Sequence, residues 1–171
     1  MGPRLRRLLL TLHVGLSVAS IGAVAAFLAL ASAALFGAEG FAVHGAYAGA
    51  GIVTWWVILP LVVAALVTGT IQALATQWGL FRHYWVLAKL VLTAVTLAVL
   101  ILQLGGIETA ASNASARGLA SLGSLPMSLA LHATGGLAVL SIVTALSIFK
   151  PQGLTRYGWR KQKERSGQRR R

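Results

Sequence analysis

The sequence predicts an all-α fold, a membrane four-helix bundle with both termini on the cytoplasmic side. Three observations carry this expectation. Of the 171 residues, 57% are hydrophobic and only 11% charged, whereas a soluble domain usually has about 25% charged residues. The apolar residues gather in runs long enough for the ~20 residues that cross a hydrocarbon core of ~30 Å. Those runs are continuous rather than alternating, which suits helices and not the strands of a membrane barrel. Finally, Lys and Arg are segregated. Thirteen of the fifteen lie before the first run, at Arg82, or from Lys150 onward, and such clusters mark the cytoplasmic face.

The first span is expected over about residues 8–36. MGPRLRR followed by an apolar stretch and 31-ASA-33 imitates a cleaved secretory signal. A signal's apolar region has only ~7–15 residues, so this one reads as a retained span. At 1.5 Å per residue it would measure ~44 Å, and it must tilt or project beyond the core. Gly15/Ala19 and Gly22/Ala26 repeat the four-residue spacing of small residues that lets membrane helices approach closely. The second span is expected over about 47–76, with Trp55 and Trp56 in the outer aromatic belt and a kink at Pro60, which lacks an N–H. The third is expected over 84–103. Residues 105–124 are small and polar and read as an outer loop before the fourth span, 125–149. Pro151 and Gly153 stop that helix. The segment 151–171 reads as a basic, mostly disordered cytoplasmic tail attached to a single bundle domain, 1–150. Anionic lipids are its expected partner, at ~1 kcal/mol per basic residue near the surface. Nucleic acid is not expected, because no folded basic domain accompanies the charge. A second copy or another membrane protein remains an open partner.

Composition excludes several chemistries. There is no Cys and no Asp, and the only carboxylate side chains are Glu39, Glu108 and Glu164. Disulfides and thiolate sites are therefore absent, a Ser-His-Asp triad lacks its acid, and proton coupling through a carboxylate within the spans has no group to use.

The polar residues that remain divide into anchors and candidate ligands. Trp78, Arg82, Tyr84 and Trp85 suit membrane anchoring, with aromatics at the interface and Arg82 on phosphate. Lys89 lies seven residues beyond Arg82, ~10 Å deeper on nearly the same helical face. It either snorkels outward or faces the bundle and meets an anion. His13, His44, His83 and His132 fall one near the start of each span. His13 and His83 lie toward the cytoplasmic side and could ligate a b-type haem as two neutral imidazoles, with Lys89 on a propionate. The outer pair is too far apart in depth, and the residue level with His132 is Gln103.

Four segments also carry a family resemblance: 12-LHVGLSVASIGAVAAFLAL-30, 78-WGLFRHYWVLAKL-90, 132-HATGGLAVL-140 and 149-FKPQGLTRYGWRKQ-162. Together they resemble a family of bacterial four-span integral membrane proteins of unknown function, marked by WGLFRHYW and KPxGxTRYG patterns. The third span often ends in a histidine in that family, whereas here the region reads 100-LILQL-104, with Gln103. The resemblance implies the four-span architecture and no reaction. The functional expectation is a multi-pass inner-membrane protein without a catalytic site or metal, acting as an accessory or scaffold element without a cofactor. The alternative is a b-type haem electron carrier using His13 and His83.

Overall fold

The computed structural model describes residues 2–37, 41–75, 79–116, 122–149, 151 and 153–168. They form an all-helical bundle with four segments long and apolar enough to cross a membrane. Helix α1 covers Pro3–Phe36, with proline in its first turn, where a missing N–H costs nothing. Helix α2 (Phe41–Val53) continues through a π-helical turn, Thr54–Ile58, into α3 (Leu59–Ala75). Helices α4 (Tyr84–Ala116), α5 (Leu125–Phe149) and α6 (Arg156–Gln168) follow.

Consecutive spans are neighbours around a ring. Helix α1 packs against the α2–α3 unit and against α5, and α4 does the same from the opposite corner. The core joins Phe27, Ala31 and Ala34 of α1 to Tyr47 and Ala50 of α2, Ile107 and Ala110 of α4, and Leu129 and Ala133 of α5. At most 28% of each span's most apolar window is buried, and Trp56, Leu102 and Phe149 are about four-fifths exposed. An apolar surface this continuous suits lipid as its solvent, where hydroxyls must bond within the protein. Those of Ser17, Ser20, Thr54, Thr70, Thr96 and Thr144 each donate to the carbonyl four residues back.

The π turn lies just ahead of Pro60. The Leu59 N–H bonds the Thr54 carbonyl, five residues back, so the widened turn absorbs the irregularity expected at proline. Thr54 is fully buried and donates to the Ala50 carbonyl at 2.8 Å.

Three details differ from the sequence expectation. The third span does not end at 103: α4 runs to Ala116, so the first part of the expected outer loop is helical. Ile107 and Ala110 are buried there, and Gly51 of α2 lies against Ile107 and Ala111. That packing outweighs the ~1 kcal/mol that each of Gly105 and Gly106 costs a helix. The tail is not irregular throughout, because α6 occupies Arg156–Gln168. The packing stripe of α1 is also not the one expected. Gly15, Ala19, Gly22 and Ala26 are exposed, and the buried stripe is Ser20, Ala23, Val24, Phe27, Ala31 and Ala34.

Candidate functional site

Two of the segments that carried the family resemblance meet in space. Residues 79–83 turn before α4, and residues 153–155 run antiparallel to them, paired at His83 and Leu154. Gly79 opens the turn at a φ of 61°, in the left-handed region that glycine enters without strain. The Tyr84 N–H donates to the Gly153 carbonyl at 3.3 Å, and the Thr155 N–H donates to the Arg82 carbonyl at 2.9 Å. Thr155 then does two things with one hydroxyl. It donates to the Phe81 carbonyl at 2.5 Å and accepts from the Gly158 N–H at 3.1 Å. The second bond is the N-cap of α6, satisfying one of the N–H groups that a helix start leaves open. Gly158 touches the Arg82 carbonyl so closely that a side chain there would overlap it. This clasp ties the turn before α4 to the start of α6.

Beside the clasp, a cleft of about 490 Å³ opens between α1, α3, α4 and α5. Its size falls in the usual range for small-ligand sites, about 300–1,000 Å³. Leu80, Trp85 and Ile148 line it near the clasp, and its polar lining includes Arg6, His13, Gln72 and Lys89. None of the lining side chains is a carboxylate. Lys89 stands with its ammonium 5.6 Å from the centre of the Trp85 ring, within the range of a cation–π contact. Trp85, expected in the interfacial belt, therefore serves as a support for Lys89 in the cleft wall.

His13 is fixed from across the bundle. Its Nδ1 lies 3.1 Å from the Thr68 hydroxyl oxygen, and that hydroxyl sends its own proton to the Ala64 carbonyl at 2.7 Å. With the threonine proton already committed, the contact needs an N–H from the imidazole. That bonding pattern, not an observed proton, favours a hydrogen on Nδ1, and the Thr68 hydroxyl also reaches the Ala65 carbonyl at 3.2 Å. The ring also lies flush on the backbone of α3. A Cβ at Gly69 would come within 2.8 Å of its Cε1.

The structure thus brings His13 and Lys89 to one cleft and leaves His83 out of the lining. His83 stands in the clasp, its ring centre 6.4 Å from that of Trp85. His13 and His83 therefore do not both line this cleft. Arg82 belongs to the clasp, Tyr84 is exposed, and Trp78 lies outside the described residues. His132 and Gln103 line a second, more apolar cavity of about 360 Å³ together with Phe27, Gly135 and Gly136, which agrees with their expected equal depth. The His132 Nδ1 is engaged by the Ser128 carbonyl at 2.7 Å. Among the described residues, no three His or Glu side chains gather as metal ligands would. Sequence reasoning missed Thr68 and Gly69, the partners of His13. A small residue next to a hydroxyl in an apolar helix was the only available signal. No protein-family model, curated protein or solved structure matches the chain.

Proposed function

We propose that this chain is a non-enzymatic accessory protein of the inner membrane, threaded with both termini in the cytoplasm, whose cleft holds a ligand. The chemistry of the lining carries this reading. Two cations and an imidazole with its Nδ1 engaged can attract and orient an anion. None of the lining groups is an acid that could support that imidazole in a triad or share protons with it. The basic residues support the threading, since Arg6 lines the cleft near the clasp that ties α6 to the start of α4.

Threading is tested by single cysteines, which the native chain lacks. A Cys at exposed Ser112 is expected to react with an impermeant maleimide in intact cells, and one at exposed Gln162 only after lysis. The reverse pattern would invert the topology. A spectrum tests the function. The purified protein is expected to be colourless, with no α band in the reduced-minus-oxidised difference. A b-type band that disappears in His13→Ala would replace this reading with an electron carrier.

A further inference from the structure

We infer that the second cavity is a site for an uncharged lipid whose head both gives and takes a hydrogen bond, as an alcohol or an amide does. The head lies between Gln103 and His132, and the chain runs along α4 and α5. This site goes beyond the cationic cleft, although Val62 lines both.

The cavity, about 360 Å³, lies between α1, α3, α4 and α5. Among the described residues, no Lys, Arg or Glu lines it, so a charged ligand would enter without a counter-charge, at large cost. Val95 and Leu131 in its wall are more than half exposed, which opens it to the lipid side. Its two strongest polar groups stand at one end. The Gln103 amide has no hydrogen-bond partner among the described residues, and an unmet amide is costly where water is scarce. The His132 Nδ1 lies 2.7 Å from the Ser128 carbonyl, with the Ser128 hydroxyl at 3.3 Å. A carbonyl only accepts, so that bond favours the neutral ring's hydrogen on Nδ1 and leaves Nε2 as an acceptor. A hydroxyl or amide head can take an N–H from Gln103 and give one hydrogen to Nε2. An ether or an ester can do only the first.

Gly135 and Gly136 form the α5 wall. Glycine weakens a helix, and packing does not ask for it here, because a Cβ at either position would meet nothing within 4 Å. Their effect is to keep the space in front of α5 open. From Gln103 and His132 the apolar lining continues to Val95 and Val139, ~10–12 Å along two antiparallel helices. That length suits a lipid chain rather than a small polar solute.

The test uses the full-length protein in detergent, with binding read by native mass spectrometry. Its four probes share one oleyl chain. Oleyl alcohol and oleamide are expected to bind at least tenfold more tightly than oleate. They should also exceed oleyl methyl ether by roughly threefold or more, the factor that one neutral hydrogen bond supplies. The tighter of the two names the head. Gln103→Leu is expected to weaken all three uncharged probes alike, with the melting temperature held. His132→Phe is expected to remove the lead over the ether. Gly136→Leu fills the cavity without touching either polar group. It is expected to abolish binding while the melting temperature holds or rises, since leucine is the better helix former. Oleate or the ether binding as tightly as the alcohol and the amide would overturn the inference, as would binding that survives Gly136→Leu. So would a protein that ignores all four probes and passes from two copies to one in Gly136→Leu, which would seat a second copy on this face instead.

Discussion

Gly158→Ala is expected to lower the melting temperature in detergent by roughly 4–10 °C, at about 2–4 °C per kcal/mol for a chain of this size. The added methyl meets the carbonyl of Arg82, and backbone on both sides prevents an easy escape. Moving residues 153–158 away would release the Thr155 bonds to Phe81 and Arg82 and the Tyr84 bond to Gly153. Each such bond contributes about 0.5–1.5 kcal/mol net, more where a group is left unsatisfied. The internal comparison is Gly153→Ala. Its methyl would sit 3.8 Å from the Tyr84 ring, an ordinary contact, so a near-wild-type melting temperature is expected. If the two variants melted alike, the clasp would contribute nothing to the bundle's stability.

Ala34→Leu should be almost as damaging. Ala34 has no exposed surface, where α1 joins the core. Overpacking such a position costs typically 1–3 kcal/mol. The bilayer worsens the balance. A leucine facing lipid is already content, so burying it against another helix returns little transfer free energy. Ala26→Leu, on the exposed face of the same helix, is expected to leave the melting temperature within about 2 °C, since surface substitutions usually stay within ±0.5 kcal/mol. Equal losses at the two positions would mean that α1 is rotated from the orientation described here.

These variants also show how far the sequence could be read. The four spans were legible because runs of about twenty apolar residues have few alternatives in a bilayer. The rotation of each helix was not. A helix that is apolar all round gives no sign of which side meets its neighbours, and so Gly15 and Gly22 were read as packing positions that the structure leaves exposed. Lys89 illustrates the same limit. Its spacing from Arg82 predicted a shared helical face, but Arg82 lies in the turn before α4, and only the tertiary structure brings Lys89 to one cleft with His13. Helix α6 was missed because its charge and internal Gly158 argue against a helix, although Thr155 stood in the sequence as its cap. The two signature segments were conspicuous, yet nothing in either predicted that they would pair across some seventy residues. Hydrogen bonds such as His13 to Thr68, 55 residues apart, leave no local trace.

The π turn at Thr54–Ile58 has a consequence for how this chain can change in length. A π turn carries one more residue than an α turn would need and absorbs it by winding more widely. Deleting one of the five would let the helix run through as a regular α-helix with α2 and α3 nearly in their present phase, so Thr68 and Gly69 would still meet the His13 ring. The same deletion in the regular α-helix between Leu59 and Thr68 would rotate them by about 100°. The turn is thus where this helix can lose a residue without moving the wall of the cleft.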